Sequence, residues 1–492
     1  MAEVTNQKKR YPSWVLFLVI AVLVFIAGIF AASIMERRQE SSARLTPVTN
    51  LKEWEPRNEV WGQNYPQEYE SYLEMLDTTF RSKYGGSATI HYLDQTPELV
   101  ILWAGYPFSE EYNQARGHPY AIHDIRAILR SGGEDSNIPA TCWTCKSTDV
   151  PRMMAKIGPA AFYAKKWIDM GDQIVNPIGC QDCHDPKTMN LRISRPGLIE
   201  AMARRGRKIE SFTHNEMRSL VCAQCHVEYY FRKSDHYLFF PWDKGFSADS
   251  MESYYDETKF FDFTHALSRV PILKAQHPDY EIYMTGVHAA RGVSCADCHM
   301  PYRVEGGIKF TDHKIQSPLN NIANSCQVCH RESEEQLRND VYSRQDKVTE
   351  VRKIVEKSLA SAHIECKNAW DNGASVIEMA PVMDLIRSAQ WRWDWCAASN
   401  STGFHSPVVV LRTLATAIER AEKARGYLRE IFVRHNIKTP IFYPNLTSAE
   451  KAQKFIGLDI KASIQHKEEF LRKVAYKWDS LARKRQGSLK GY

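Results

Sequence analysis

Thr141-Cys142-Trp143-Thr144-Cys145-Lys146 is one of five runs in which two cysteines stand three positions apart. The others are Cys180-Gln181-Asp182-Cys183-His184, Cys222-Ala223-Gln224-Cys225-His226, Cys295-Ala296-Asp297-Cys298-His299 and Cys326-Gln327-Val328-Cys329-His330. Together they hold ten of the 12 cysteines, where random placement over 492 residues would give about one such pair or none. Cysteines at this spacing also build zinc ribbons, but zinc does not require a histidine directly after the second thiol, and four of the five runs have one. C-x-x-C-H is the attachment signal of a c-type haem, in which two thiols bond to the vinyl groups and the adjoining imidazole ligates the iron. Five porphyrins would supply much of the apolar core, so the region from Lys146 to His330 needs little regular structure of its own.

The first run keeps both thiols and places Lys146 where the others have histidine. A decayed motif with Lys146 in solvent is the bland reading, and the intact Cys142 and Cys145 speak against it. An amine ligates iron only without its extra proton, which a free lysine holds up to a pKa of about 10.4, so the metal itself must keep it neutral. An iron clamped between two imidazoles passes electrons but has no place for a substrate. One departing haem in a uniform set therefore reads as one reactive centre fed by four electron carriers.

At this point the chain resembles the pentahaem, ammonia-forming cytochrome c nitrite reductases, whose mark is one C-x-x-C-K haem followed by four C-x-x-C-H haems in this order. The resemblance covers about residues 97–459, and its further marks are His226-Val227-Glu228-Tyr229-Tyr230 and Lys274-Ala275-Gln276-His277. It implies a mainly α, multihaem cytochrome c fold with haems as core, long C-terminal helices and little β-structure. It also implies six-electron reduction of nitrite to ammonium at the Lys146-ligated haem. Two rivals stay open on the residues alone: an electron-transfer cytochrome with no substrate site, and a related multihaem reductase of hydroxylamine, sulfite or tetrathionate.

The same resemblance assigns site residues. The far-side iron ligands are His313 for the His184 haem, His118 for the His226 haem, His405 for the His299 haem and His288 for the His330 haem. Arg130 reaches the substrate, with Arg126 one helical turn earlier as the alternative. Tyr229 and His277 complete the pocket beside Lys146. Glu228 through its carboxylate, Tyr229 and Lys274 through their carbonyls and Gln276 through its side chain bind calcium, an all-oxygen set that suits a hard cation. His91, His123, His214, His236, His265, His363, His435 and His466 remain, and we read them as surface or core residues.

Composition is that of a folded protein, 43% hydrophobic and 25% charged. The net charge of +6 comes with no nucleic-acid motif, and haem propionates would offset it, so no polyanionic partner is inferred. Residues 14–33, WVLFLVIAVLVFIAGIFAAS, are long enough as a helix to span a bilayer. A cleaved signal peptide has a shorter apolar core, of about 7–15 residues, so residues 1–35 are expected to be an uncleaved membrane anchor. In bacteria covalent haem attachment is completed outside the cytoplasmic membrane, which places the bulk of the chain in the periplasm. Residues 36–57 read as a linker, 58–330 as the pentahaem catalytic domain and 331–492 as a helical region.

Within that catalytic domain, the apolar run from Leu99 to Phe108 reads as a strand or buried turn. In the last region Val348, Val351, Val355, Leu359, Ala362 and Cys366 recur at helical steps, and Leu411, Leu414, Ile418, Ala421 and Leu428 come close to doing so. Ser406-Pro407 and the Thr447–Glu450 capping box are expected helix starts. Trp391, Trp393 and Trp395 are expected to pack, partly at haem edges. Cys366 and Cys396 are the leftover thiols, and a disulfide depends on a distance that sequence does not give. The resemblance adds a homodimer formed by the long helices and a membrane-bound multihaem quinol dehydrogenase as electron donor.

Overall fold

Helix α1 covers Ser13–Arg44 in the computed structural model, which describes residues 12–44 and 47–487. Its Ser13–Glu36 part is long and apolar enough to cross a membrane and is not buried against the rest of the chain. The helix continues beyond Met35, into the stretch expected as linker, because residues 36–44 contain no glycine or proline to stop it. The rest of that stretch is also less free than a linker. The Thr49 amide donates to Asn64 Oδ1 at 2.8 Å, Asn64 Nδ2 returns a bond to the Thr49 carbonyl at 2.8 Å, and Leu51 is buried.

Elements between residues 58 and 330 are short. They include helix α2, Ala121–Ala127, and two-stranded antiparallel ribbons such as Tyr302–Glu305 with Ile308–Thr311. The apolar run from Leu99 to Phe108 opens as a helix, Glu98–Leu102, and goes on as the expected turn at residues 103–105, with Trp103 and Ala104 buried; it contains no strand. Leu99, Val100, Ile101, Leu102 and Trp103 are all buried, so the run had no polar face from which a period could be read.

Three long helices dominate the region after the last haem motif: α3, Glu334–Asp371; α4, Val376–Ala397; and α5, Pro407–Arg434. Both α3 and α4 pack along α5. Val348, Val355, Leu359, Ala362 and Cys366 of α3 and Leu414, Ala421 and Leu428 of α5 are buried, as the apolar steps require. The Ser333 hydroxyl caps α3, and Ser375 with Glu378 forms a reciprocal capping box on α4. Two expected caps are built differently. Ser406 precedes α5 but its hydroxyl donates to the Thr285 carbonyl at 3.3 Å, and Ser448, not Thr447, caps Ala449–Phe455 by accepting from the Lys451 amide.

Trp391, Trp393 and Trp395 are fully buried in α4, with Trp393 5.7 Å from Trp103 between ring centres. Cys366 and Cys396 are buried free thiols, so no disulfide joins α3 to α4. Helices α6, Ile460–Phe470, and α7, Tyr476–Gln486, are joined by one π-turn and return to the first half of the chain, where Trp478 meets the edge of Trp167 at 5.4 Å.

Candidate active site

The motif cysteines sit on single helical turns, which put thiols at i and i+3 on one face with the next residue beside them. Residues between the cysteines hold the turns in place. Asp297 accepts from the Ser294 amide at 2.6 Å, and Asp182 accepts from the Gly179 amide at 2.8 Å. Asp182 also pairs at 2.6 Å with the buried Arg195, whose guanidinium reaches the Thr144 and Ser147 carbonyls at 2.8 Å and so ties the first motif to the second. The Cys145 side chain neighbours that of Cys225, and Cys222 neighbours Cys295. The third motif thus lies between the first and the fourth.

One continuous cavity of about 2090 Å³ runs past these motifs, larger than the ~300–1,000 Å³ of a single-ligand site. Four pairs of histidines face each other in it: His184 and His313 at 6.2 Å between ring centres, His118 and His226 at 6.4 Å, His299 and His405 at 6.3 Å, and His288 and His330 at 6.3 Å. Two imidazoles on opposite sides of a metal, each with nitrogen about 2 Å from it, stand about 6 Å apart between centres. The rings are also oriented for this. His184, His299 and His313 each engage Nδ1 with a backbone carbonyl at 2.7–2.9 Å, which leaves Nε2 for a metal. Burial pushes His118 down to about 3 and His184 and His405 to about 4, so they present the neutral form a metal requires. The donor set fits haem c.

His226 has a second neighbour, His277, also at 6.4 Å. The His277 amide donates to the Val227 carbonyl, the Tyr280 amide to the His226 carbonyl, and Asp279 Oδ2 stands 3.5 Å from His226 Nδ1. Residues 277–280 therefore wrap the side His226 itself occupies, and His118 is the ring that arrives from a separate segment.

Lys146, Arg130 and His277 line the same cavity, and Tyr229 is a neighbour of Cys142 and Cys145 in the first motif. Arg130 is carried by the turn Leu129–Ser131 after α2; its guanidinium stacks 4.3 Å over Phe108 and makes one long bond, 3.4 Å, to the Glu111 carbonyl. Most of its donors thus face the cavity. Arg126, the alternative, points away: it pairs with Asp479 at 2.7 Å and donates to the Gly171 and Ile174 carbonyls at 3.1 Å. Burial pushes His277 down to about 3, leaving a neutral imidazole whose buried Nδ1 has no partner among the described residues. The Tyr229 phenol is raised above its ordinary value by burial and stacks on Phe231.

Oxygen donors gather one layer behind. Glu228 is fully buried and accepts from the Gln276 amide at 2.6 Å and the Tyr255 hydroxyl at 2.8 Å. Gln276 Nε2 donates to the Lys274 carbonyl at 3.2 Å, so Gln276 links the Glu228 carboxylate, through its backbone amide, to the Lys274 carbonyl, through its side chain. Burial, and then Glu281 and Asp262 nearby, raise Glu228 well above the carboxylate range, an environment that a bound cation would relieve. Once turned, the Gln276 amide presents oxygen to the same point.

The sequence gave no pointer to Arg195 or Asp279. Asp394 does carry a signal, a single carboxylate in the aromatic run Trp391-Arg392-Trp393-Asp394-Trp395. It pairs with the Lys274 ammonium at 2.9 Å, both fully buried. His265 and His363 are core residues, stacked at 3.7 Å.

The Cytochrome c552 family model matches residues 57–486. The chain is 51% identical to a cytochrome c-552 from Bacteroides fragilis over 96% of its length and 97% of the relative's. It is equally identical to one from Porphyromonas gingivalis, over 97% of each chain. Among solved structures it is similar to the catalytic subunit of cytochrome c nitrite reductase from Desulfovibrio desulfuricans, described with two calcium sites. That match has a TM-score of 0.75 at 33% identity and covers 88% of this chain and 96% of the other. Five paired-cysteine motifs, four facing histidine pairs and this similarity over nearly the whole length agree: the chain belongs to the cytochrome c552 family.

Proposed function

We propose that this protein is an ammonia-forming nitrite reductase that carries five covalently bound haem c groups and a calcium ion. The observation that carries the reading is the first motif: Lys146 replaces the histidine of the other four, in a cavity wall shared with Arg130 and His277. The 33% identical relative is a cytochrome c nitrite reductase. Haem c supplies iron at which nitrite nitrogen binds and through which six electrons arrive.

This chain's own residues do the rest. Arg130 offers donors to the nitrite oxygens and offsets their charge as the N–O bonds break. His277, neutral at working pH, donates a hydrogen bond from one nitrogen and takes up or gives a proton at the other. The Tyr229 phenol, held protonated by burial, is a second proton donor. Glu228, the Tyr229 and Lys274 carbonyls and Gln276 would hold calcium, whose charge would steady the segments that carry Tyr229 and His277. Conversion of nitrite to ammonium takes up six electrons and eight protons and releases two waters, so proton supply matters as much as the electron path.

The protein acts in the periplasm, held to the cytoplasmic membrane by the span Ser13–Glu36, with a membrane-bound multihaem quinol dehydrogenase as donor and a second copy bound through the long helices. The test is ammonium formed from nitrite by the reduced, five-haem protein, alongside the spectrum of the oxidised form. One high-spin haem and ammonium production are expected, with both lost in Lys146→His. A protein with five low-spin haems and no ammonium would be an electron carrier instead.

A further inference from the structure

Arg130 rides on a three-residue 3-10 turn, Leu129–Ser131, that ends at Gly132 with φ of 69°. So short a turn has no ladder of its own to hold it, and its carbonyls need outside donors. The guanidinium has one protein hydrogen bond, at 3.4 Å, so its aim depends on the backbone beneath it.

That backbone is held from two sides. On one side Glu111 accepts from the Leu129 amide through its carboxylate and from Arg130 through its carbonyl. On the other is Lys467, on α6, 4% exposed. Its ammonium donates to Ser131 Oγ at 2.8 Å, to the Arg126 carbonyl at 3.2 Å and to the Gly132 carbonyl, acceptors that bracket Arg130 on both sides. A lysine has three donors, and here each meets an oxygen. Lys467 forms no ion pair within 4 Å among the described residues; its direct partners are these three oxygens, and the Glu111 and Glu110 carboxylates lie near enough to favour its charge. The preceding residue on α6 seals the same joint: His466 lies against Gly133, where a Cβ would come within 2.4 Å of its ring, and faces Asp135 at 3.4 Å.

We propose that Lys467 is a positioning residue for the substrate anion: it clamps the turn beneath Arg130 so that the guanidinium meets the anion without reorganising. The inference rests on Arg130 being the group that binds nitrite. Loss of the clamp weakens anion binding and leaves the electron path alone, because no residue of α6 lines the cavity that holds the motif histidines.

The test uses full-length, haem-loaded protein. Nitrite is titrated into the oxidised form, Kd is read from the high-spin haem spectrum, and KM and kcat are measured in parallel. For Lys467→Met, Kd and KM are expected to rise about tenfold or more with kcat within about threefold, the pattern of lost binding without lost chemistry. Lys467→Arg, which keeps a cation on the same carbonyls, is expected to recover most of the affinity. An unchanged Kd in Lys467→Met, whatever its melting temperature, overturns the proposal and leaves Lys467 a structural contact. Arg130→Met separates the two assignments. If it too binds nitrite as the parent does, the reading of Arg130 has failed; if it alone weakens binding, the clamp has. Should Lys467→Met load fewer than five haems, Ser131→Ala is read in its place: a rise of about twofold to fivefold in Kd supports the clamp, and no change overturns it.

Discussion

Replacing Lys274 by methionine is expected to destabilise the protein by about 3–5 kcal/mol, because it strands a buried carboxylate. The Lys274 ammonium lies 2.9 and 3.0 Å from the two oxygens of Asp394, and the side chains are 2% and 0% exposed. Asp394 keeps one partner in the variant, the Ala275 amide at 2.6 Å, which is too little for a full charge in a dry site. Asp394→Asn is expected to cost less, about 2–3 kcal/mol. The stranded ammonium still faces Trp103 at 4.9 Å and Phe108 at 5.0 Å, and aromatic faces return up to about 2 kcal/mol. The double variant, with neither charge buried, is expected to lie within about 2 kcal/mol of the parent. Guanidinium unfolding followed by haem absorbance and by tryptophan emission gives the cycle, provided the two probes coincide. A Lys274→Met protein within about 1 kcal/mol of the parent would refute the account of the pair.

Three further outcomes are expected. His363 bonds Ser268 and Gln390 through its two nitrogens, and burial pushes it down to about 4. Its folded-state pKa lies below the unfolded ~6.5, so the stability it contributes is full above pH 6.5 and lost as pH falls through 4. Over that window the parent should lose up to about 3 kcal/mol more than His363→Asn. Cys366 and Cys396 should resist thiol reagents in the native protein and give two reactive thiols per chain after denaturation, with no effect of reductant on the melting temperature. Glu228→Ala should lose bound calcium, measured by elemental analysis, and about 10- to 100-fold of activity while retaining five haems.

Legibility from sequence followed the length scale of the chemistry. The haem motifs are local, since about one helical turn places two thiols and a ligand, so the four C-x-x-C-H runs announce the cofactor and residues 141–146, read beside them, the reactive centre. Helices α3 and α5 were legible because their apolar residues recur at helical steps that are buried, as at Val348, Val355 and Leu359. At Leu99–Leu102 every side is buried, the period vanishes, and a helix read as strand or turn. The far-side histidines were reached through resemblance: nothing local marks His313 or His405, and only the fold sets them 6.2 and 6.3 Å from their partners. Lys467 is hidden more deeply, since one lysine in a charged helix looks like solvated surface until the structure buries it.

A cavity this large cannot pack its own walls, and the polar contacts show what does. Asp394 of α4 holds the segment with Lys274 and His277. The Ser399 hydroxyl and the Asn400 amide, just after α4, each donate at 2.8 Å to Asp279, which braces His226. Lys467 of α6 holds the Arg130 turn. Asp394 and Lys467 act from outside the cavity, Ser399 and Asn400 from its wall, and all of them come from the part of the chain after the last haem motif. The helical half is therefore a frame as much as a surface for a partner. Substitutions along its inner face should alter nitrite affinity before they alter haem content, since the thioethers hold the porphyrins covalently while Arg130 and His277 are held by hydrogen bonds and packing, these among them.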